Sequence, residues 1–406
     1  MDPTSAEFDS SCVPYSRRPE WAGAETLPLP PGDAGRVVAI QYAERHAEAL
    51  SYFRAVLAKG EKSTRAHDLA RHLIGFNGAD YTAWQWRWRC AQALGTDLEE
   101  EAALTERIAR DSAKNYQLWN HRRKVAGARG PGGAAAELAF AARALDGDEK
   151  NYHAWAHRQA RRGGGGGRCT AGGPGAVVAA AGCWEEELRY SEAMIERDVR
   201  NNSAWAQRAF IKLALLKQQQ QQQQQQAGAP PPTAQQPQPG GAARAALLQL
   251  LPGEFEYVSA QLAVAPRNES AWNYLLGLFA LPGATPHEMG RHKEVFIICR
   301  EALADCASCA PALDALAQYL FDMACLLAAA AGVLVGDADS KGQQQQQQQQ
   351  QRGGEGGAAA RAAGAAAKAL EALTKAGAAD PMRRPYLRHR AAEVEALLAR
   401  LARAGG

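Results

Sequence analysis

The polar and apolar positions of the chain repeat one short pattern, in which an Asn or Asp precedes a Trp by four residues and an Arg follows that Trp by three. The pattern occurs five times, as ADYTAWQWRW, KNYQLWNHRR, KNYHAWAHRQ, RNNSAWAQRA and RNESAWNYLL, with Leu275 replacing the Arg in the last copy. Asn and Asp are favoured helix N-caps, and residues three apart share one helical face. Each copy therefore predicts the start of a helix.

The repeated tryptophans lie roughly 35 residues apart where no insert intervenes, which is the length of one helical hairpin in an α-solenoid. They are Trp84, Trp119, Trp155, Trp205 and Trp272. We predict an all-α fold, an α-α superhelix of stacked hairpins, in which the Trp ring and the Arg guanidinium hold successive hairpins together. The repeated Trp and Arg positions are accordingly interpreted as scaffold.

The two ends of the chain depart from the pattern. Residues 1–42 are predicted to be extended and flexible because of their prolines, and a helical pattern begins near Ala43. A single solenoid is predicted over residues 43–406. Its C-terminal segment DPMRRPYLRHR is interpreted as a degenerate cap, with Leu387 at the Trp position and Arg390 three residues later.

Three low-complexity inserts interrupt the regular spacing, at about residues 161–182, 217–242 and 340–357. They are rich in Gly, Gln or Pro and lack the apolar residues that build a core, so we predict that they are disordered. The acidic run Glu99–Glu101 is interpreted as a solvated helix start. His121 and His157, each two residues after a Trp, are interpreted as core residues.

Composition narrows the functional classes. The chain has 406 residues, of which 46% are hydrophobic and 22% charged, and its net charge of +3 is too small to indicate nucleic-acid binding. The N-terminus has no signal-peptide pattern, and the longest apolar run, from Ala324, is shorter than the ~18 residues of a membrane span. We therefore expect a cytoplasmic protein with no membrane span, whose apolar run is a buried helix.

The eight cysteines are expected to be free thiols, since nothing in the sequence indicates secretion. Cys306 and Cys309 form a Cys-x-x-Cys motif, but no second Cys/His pair follows at a spacing suited to zinc. No metal site is predicted in this chain. No Ser-His-Asp or Cys-His arrangement and no phosphate-binding Gly loop emerges either.

The five copies, together with the segments YSRRPEW, VVAIQYAERHAEALSYFRAV and DPMRRPY, resemble the protein prenyltransferase α-subunit family. The resemblance covers about residues 13–390 apart from the inserts. The order of the segments fits the branch shared by farnesyltransferase and geranylgeranyltransferase type I better than the Rab geranylgeranyltransferase branch.

This resemblance implies a crescent of hairpins around a β subunit. The implied reaction transfers farnesyl or geranylgeranyl from its diphosphate to the cysteine thiol of proteins that end in a CaaX motif. It further implies a zinc ion held by the β subunit, which keeps the thiol as a thiolate, and magnesium acting on the diphosphate.

The copies differ at polar positions beside the cap, and these positions are free to meet a ligand. The residue before the cap is Ala79, Lys114, Lys150, Arg200 or Arg267, and the residue two positions after it is Thr82, Gln117, His153, Ser203 or Ser270. A departing diphosphate needs cations and hydrogen-bond donors, which residues such as Lys114 can supply.

The resemblance assigns roles to six residues at or beside the caps. Lys114 and Tyr116 are implied to act at the diphosphate in catalysis, and Asn151 and His153 to lie near it. Gln117 and Tyr81 are implied to bind the CaaX peptide. Without the resemblance, Lys114 is more simply a solvated lysine, and the tyrosines that follow each cap, including Tyr152, are packing residues.

Two classes of non-enzymatic repeat protein are alternatives, beside a Rab geranylgeranyltransferase α subunit. A tetratricopeptide-like scaffold has the same period, but its signature Gly, Ala and Pro positions are missing here. A repeat protein that reads RNA needs a basic groove, for which a net charge of +3 gives little support.

Overall fold

The computed structural model describes residues 13–28, 40–159, 183–226, 241–333 and 355–404, and within these ranges it contains helices and no β-strand. The all-α prediction is confirmed. The α-helices are α1 Glu44–Lys59, α2 Thr64–Phe76, α3 Tyr81–Leu94, α4 Leu98–Ser112, α5 Tyr116–Arg129, α6 Ala134–Gly147, α7 Tyr152–Gln159, α8 Trp184–Arg197, α9 Asn202–Gln226, α10 Gly241–Val264, α11 Glu269–Leu278, α12 Lys293–Asp305, α13 Ala310–Ala330, α14 Glu355–Ala379 and α15 Arg384–Ala404.

The chain divides into two compact units, with the boundary between Cys183 and Trp184. Each unit is a series of helical hairpins, in which a first helix, a short loop and a second helix form one repeat. The first unit contains the hairpins α2–α3, α4–α5 and α6–α7, preceded by α1. The second contains α8–α9, α10–α11, α12–α13 and α14–α15. Stacked hairpins are the architecture that the repeat pattern predicts.

All five predicted caps form. In each, the side-chain oxygen of the Asn or Asp accepts a hydrogen bond from the backbone N–H two residues later, at 2.8–3.1 Å. The capping residues are Asp80, Asn115, Asn151, Asn201 and Asn268. The N-terminal helix α1 starts at Glu44, next to the predicted Ala43.

The five repeated tryptophans are buried, with exposed fractions between 0 and 3%. Each indole Nε1 donates a hydrogen bond to the backbone carbonyl six residues earlier, at 2.7–2.9 Å. The ring thus fills the core between helices while its one polar atom is satisfied by the loop before its own helix.

Four of these carbonyls accept a second hydrogen bond, from the cap side chain of the next repeat. Gly78 O receives the Asn115 amide at 2.7 Å, and Ala113 O receives the Asn151 amide at 3.0 Å. In the second unit Val199 O receives the Asn268 amide at 2.6 Å. Pro266 O receives the thiol of Cys309, the N-cap of α13, at 3.1 Å. We call each such acceptor a shared carbonyl.

The shared carbonyl explains why Asp suffices at the first cap, whereas the caps Asn115, Asn151 and Asn268 are Asn. An Asn side chain caps its own helix through Oδ1 and donates through Nδ2, whereas an ionised Asp only accepts. Asp80 opens the series, where a cap is all that is required. The same geometry identifies a sixth copy that the sequence pattern missed, with Cys309 at the cap and Leu313 at the Trp position.

A second set of contacts between repeats is centred on buried glutamates of the first helices. Glu101 on α4 receives Arg87 Nη2 at 2.5 Å, His121 Nε2 at 2.8 Å and His67 Nε2 at 3.0 Å. Arg87 belongs to α3 and His121 to α5, so one carboxylate joins the second helices of two consecutive repeats.

The same arrangement recurs along the chain. Glu137 receives Arg122 Nε at 2.7 Å and His157 Nε2 at 2.9 Å, while Glu254 receives Arg208 Nε at 2.9 Å and the Tyr274 hydroxyl at 2.6 Å. In these two groups and in the Glu101 group, the His or Tyr follows the Glu by 20 residues. Arg87, Arg122 and Arg208 therefore hold neighbouring helices together through carboxylates, in agreement with their interpretation as scaffold.

The interpretation of Glu99–Glu101 as a solvated run is wrong for Glu101, which has no exposed surface. Successive residues of a helix point about 100° apart, so one residue of three can face the core while Glu99 and Glu100 stay exposed. Burial alone would raise the pKa of Glu101, but hydrogen bonds from His121, His67 and Arg87 and the arginine charge outweigh it. They hold that pKa well below its usual range. His121 and His157 are core residues, as predicted.

The predicted inserts have three outcomes. Residues 160–182 and 334–354 lie outside the described residues, as do residues 227–240. Helix α9 continues to Gln226, so the prediction of disorder is wrong for Gln218–Gln226. Gln is a good helix former, and extending an existing helix avoids the unfavourable nucleation step. Helices α10 and α14 likewise begin inside the predicted second and third inserts.

Helix α13 is longer than the apolar run that indicated it. By length and composition alone it is the one helix of the described chain that is able to cross a membrane, yet 56% of its apolar window is buried inside the protein. Arg390 of α15 lies 3.5 Å from Asp314 of α13 and donates a hydrogen bond to Gln318 of α13 at 2.5 Å. Leu387 of α15 is buried. We interpret α13 as a core helix, as predicted for its apolar run.

The shared carbonyl leads to a stability prediction. Asn115→Asp keeps the cap of α5 but removes the donor to Gly78 O. It places a carboxylate oxygen beside that carbonyl oxygen, so the two acceptors repel each other. We expect a loss of about 1–3 kcal/mol in the free energy of unfolding, measured by chemical denaturation at neutral pH. Asp80→Asn is the matched control and should change stability by less than about 0.5 kcal/mol. Equal effects of the two variants would contradict the role of the shared carbonyl.

The buried glutamates lead to a pH-dependent prediction. Glu101→Gln leaves Arg87 without its counter-charge and should destabilise the fold by about 3–5 kcal/mol at pH 7. Because the folded-state pKa of Glu101 is depressed, its stabilisation is complete above the unfolded-state pKa and is lost as pH falls. The difference between wild type and variant should shrink between pH 5 and 3, whereas exposed Glu100→Gln should be near neutral throughout. A penalty that is constant with pH would disprove this account.

Candidate functional site

The candidate site lies where the second helices α3, α5 and α7 of the first unit begin. The tyrosines that follow the three caps point into solvent, with exposed fractions of 71% for Tyr81, 60% for Tyr116 and 75% for Tyr152. Large aromatic side chains at a repeated position usually fill a core, but these do not. The interpretation of Tyr152 as a packing residue is therefore wrong. We call this region of the first unit the cap edge.

Lys114 carries an accessible positive charge at the cap edge. Its side chain is 78% exposed, and its Nζ lies 3.0 Å from Asp148 Oδ2 in the loop before α7. The hydrogen bond from Lys114 lowers the pKa of Asp148. An exposed pair of this kind contributes little to stability and leaves ammonium donors for another anion.

His153 lies beside Tyr152, which opens the same helix, and beside Tyr116, which opens α5 of the preceding repeat. Its ring centroid is 5.9 Å from that of Tyr116 and 5.7 Å from that of Tyr152, both edge to face. Burial lowers the pKa of His153, and the nearby charge of Arg123 lowers it further. The imidazole is consequently neutral at pH 7, with one N–H donor and one acceptor nitrogen.

Asn151 is only 1% exposed and both ends of its amide are engaged in the scaffold. Oδ1 accepts the backbone N–H groups of His153 and Ala154, and Nδ2 donates to Ala113 O, directly before Lys114. Its direct approach to a diphosphate stays a prediction. What the structure provides is a positioning contact, because Asn151 fixes the loop that carries Lys114.

The two residues predicted to bind a peptide lie at helix starts. Gln117 is half-buried, and its backbone N–H is held by Asn115 Oδ1 at 2.8 Å. Tyr81 opens α3, and the contacts described for it do not join it to Lys114 or His153. The structure thus brings Tyr116 and His153 into contact, pairs Lys114 with Asp148, and leaves Tyr81 and Gln117 as separate members of the same edge.

Two residues of the cap edge were missed by sequence reasoning. Asp148, the partner of Lys114, stands three residues before the cap, and Arg123 is the second member of the Arg122–Arg123 doublet whose first member is structural. The doublet could have indicated Arg123, because adjacent residues of a helix point about 100° apart and only one of the two arginines can face the core. The Lys114–Asp148 contact bridges two repeats and leaves no mark in local sequence.

The cap edge is suited to anions. Three helix N-termini begin there, each with the positive end of a helix dipole, and Lys114 and Arg123 add formal charges. Metal binding is not indicated, because no group of three or more His, Cys, Asp and Glu able to hold an ion occurs in the described part of the chain. The arrangement can bind a phosphate-like group and stabilise negative charge that develops on it.

This chain is similar to known proteins both in a repeat that defines a family and in overall sequence. The model of the protein prenyltransferase alpha subunit repeat matches residues 98–128, 134–160, 184–211 and 251–281. The protein farnesyltransferase/geranylgeranyltransferase type-1 subunit alpha of Arabidopsis thaliana is 37% identical over 67% of this chain and 70% of its own length. The subunit of the same name from Solanum lycopersicum is 39% identical over 27% of this chain, and this chain spans only 32% of that relative.

A solved structure is similar in fold. Candida albicans protein geranylgeranyltransferase-I complexed with GGPP superimposes with a TM-score of 0.58, covering 91% of this chain and 97% of the matched chain. Its sequence identity to this chain is 18%, so the likeness concerns the arrangement of helices.

Proposed function

The chain belongs to the protein prenyltransferase α-subunit family, and from this premise we propose that it is the α subunit of a heterodimeric protein prenyltransferase. The proposed enzyme transfers farnesyl or geranylgeranyl from its diphosphate to the cysteine thiol of proteins ending in a CaaX motif. The observation that carries the proposal is the 37% identity to the Arabidopsis thaliana subunit over 70% of its length.

The relatives also favour one branch of the family. Both carry the name of the subunit of farnesyltransferase and geranylgeranyltransferase type 1, which supports that reading over the Rab enzyme. The matched prenyltransferase repeats argue against a tetratricopeptide-like scaffold. The proposed partner is therefore the β subunit of farnesyltransferase, of geranylgeranyltransferase type I, or of both.

In this proposal Lys114 acts on the leaving diphosphate. Its exposed ammonium is within reach of an incoming anion, and Asp148 holds it at the cap edge until that anion arrives. Negative charge on the leaving group grows toward the transition state, so a fixed cation there accelerates the reaction more than it strengthens substrate binding. The hydroxyl of Tyr116 and a neutral His153 are further donors for the same oxygens.

Gln117 and Tyr81 are proposed to meet the CaaX peptide. An amide side chain donates hydrogen bonds to a C-terminal carboxylate, and an exposed tyrosine ring offers apolar surface with a polar tip. Both residues lie at the same edge as Lys114, so a peptide held there would keep its cysteine close to the diphosphate.

The metals that the family implies are proposed to lie outside this chain. Zinc prefers Cys and His ligands, and the described residues of this chain contain no group that fits it, so the ligands are assigned to the β subunit. When bound, zinc would keep the substrate thiol deprotonated. Magnesium would be held by the diphosphate oxygens, which are the hard ligands that it prefers.

The proposal is tested by assembly. Co-expression with a β subunit of farnesyltransferase or of geranylgeranyltransferase type I should give a stable heterodimer that prenylates a CaaX peptide. The chain alone should be inactive, because the family places most of the prenyl pocket on the β subunit. Gel filtration and a radiolabelled prenyl transfer assay measure both outcomes. Failure to assemble with either β subunit, or activity of the purified chain alone, would refute the proposal.

The role of Lys114 is tested within that heterodimer. Lys114→Ala should lower the single-turnover rate by about a hundredfold, or ~3 kcal/mol, and change prenyl diphosphate affinity far less. Gln117→Ala should weaken peptide binding and leave the rate at saturating peptide close to wild type. Lys59→Ala, which removes another exposed lysine of the first unit, is the matched control. Rates should be taken with and without magnesium, since the metal can neutralise the same oxygens. A wild-type rate for Lys114→Ala in both conditions would rule out this role.

A further inference from the structure

The sixth copy of the repeat carries thiols where earlier copies carry other groups. The cap of the third copy is Asn151, and Asp148 stands three residues before it. In the sixth copy the cap is Cys309, and Cys306 stands three residues before it. Asn151 donates to the shared carbonyl of Ala113, and Cys309 donates to that of Pro266. Asp148 pairs with the basic residue before the previous cap, and Cys306 contacts the residue at the equivalent position, Arg267.

Cys306 therefore occupies a position that a carboxylate fills elsewhere in the same protein. Arg267 Nε donates to Cys306 Sγ at 3.1 Å, and its Nη2 donates to Ser308 Oγ at 2.8 Å. The Cys306 side chain is partly exposed, and the hydrogen bond from Arg267 is the main reason that its pKa lies below the usual value. A guanidinium that donates to sulfur favours the thiolate, which is the reactive form of cysteine.

Cys309 has the opposite surroundings. It has no exposed surface, and its S–H donates to Pro266 O at 3.1 Å, so the sulfur is held as a protonated thiol. Burial raises its pKa. Cys306 is thus partly exposed and favoured as the reactive thiolate, whereas Cys309 is buried and remains a protonated thiol that donates a hydrogen bond.

The backbone brings the two residues close together. Cys309 N–H donates to Cys306 O at 2.9 Å and closes a four-residue turn. The Cα atoms at the ends of such a turn lie within about 7 Å, and disulfides span roughly 4.4–6.8 Å. Their sulfurs contact Pro266 and Arg267, two consecutive residues of the preceding loop, so both thiols face the same segment.

We propose that Cys306 and Cys309 form a redox-active thiol pair, in which Cys306 is oxidised by a hydroperoxide and Cys309 then closes a reversible disulfide. In the first step the Cys306 thiolate attacks one peroxide oxygen. The S–O bond forms to the oxygen that carries the proton, the O–O bond breaks, and hydroxide leaves from hydrogen peroxide or alkoxide from an organic hydroperoxide, so the peroxide is reduced and Cys306 becomes a sulfenic acid. In the second step Cys309 sulfur attacks Cys306 sulfur, its proton is taken up by the departing hydroxide, and water is released.

Disulfide formation would act on the packing of α13. The Cys309 S–H would be lost, and Pro266 O would keep only the hydrogen bond from Trp272. The contact between Arg267 and the thiolate would be lost as well. Oxidation would thereby weaken the contact between the start of α13 and the loop before α11, in which the Arg267–Ser308 hydrogen bond remains, and a dithiol reductant would restore the lost contacts.

The pair is tested on the full-length chain by mass spectrometry after treatment with hydrogen peroxide. The peptide that contains both cysteines should lose two hydrogen atoms in mass, with fragmentation placing the bond between Cys306 and Cys309. Before oxidation, Cys306 should react with iodoacetamide at pH 7 at least about tenfold faster than Cys325, whose pKa burial raises to about 12. A disulfide to another cysteine, no disulfide, or equal alkylation rates would overturn the proposal.

Three variants separate the roles of the residues. Cys309→Ser should stop the reaction at the Cys306 sulfenic acid, which a 1,3-diketone traps, while Cys306→Ser should give neither adduct nor disulfide. Arg267→Gln should slow alkylation of Cys306, and Arg267→Lys should restore part of the rate. If Arg267→Gln leaves that rate unchanged while the melting temperature is unchanged, the thiolate is not activated as proposed.

Discussion

The shared carbonyls, each of which accepts hydrogen bonds from two successive helical hairpins, set the geometry on which the stacking of the repeats depends. A buried carbonyl has two lone pairs, and leaving either donor group without a partner costs about 1–3 kcal/mol. The Trp of the same repeat and the cap of the next repeat satisfy both lone pairs of Ala113 O. Because Ala113 directly precedes Lys114, the bond that stacks the hairpins also fixes the loop that presents the cation.

The buried glutamates impose a second constraint. Each glutamate and its Arg and His or Tyr partners must be present together or be replaced together. A buried carboxylate needs its cation and its hydrogen-bond donors together, since removing one partner leaves an uncompensated charge. At the three positions that correspond to Arg, Glu and His between the fifth and sixth copies, the chain has Leu275, Val295 and Ala315, all without exposed surface. Replacing the whole group by apolar residues keeps the core closed, whereas a partial replacement would not.

Sequence reasoning succeeded where the physical cause is local. A cap and a Trp in its first turn are encoded within five residues, and all five of these helix starts were predicted. Glu101 was missed because its partners lie on neighbouring helices, although the constant spacing of 20 residues to His121 was available in the sequence. The sixth copy was missed because Cys309 and Leu313 stand where the other copies have Asn or Asp and Trp, and only the hydrogen bond to the shared carbonyl is kept. The exposure of Tyr152 and the pairing of Lys114 with Asp148 depend on how repeats stack, which a single copy does not record.

The shared carbonyls also determine where this chain can change its length. Each hairpin has one loop that carries the carbonyl and the cap, and these loops are short and regular from residue 77 to residue 309. The three predicted inserts, at about residues 161–182, 217–242 and 340–357, instead follow or extend a second helix ahead of the next hairpin. In the first unit, the described connections of the same kind, residues 95–97 and 130–133, lie at the opposite end of the helices from the cap edge. In the first unit, insertions and deletions at such connections can therefore accumulate during evolution without altering the register of the cap edge, and these connections are natural points for inserting a reporter domain.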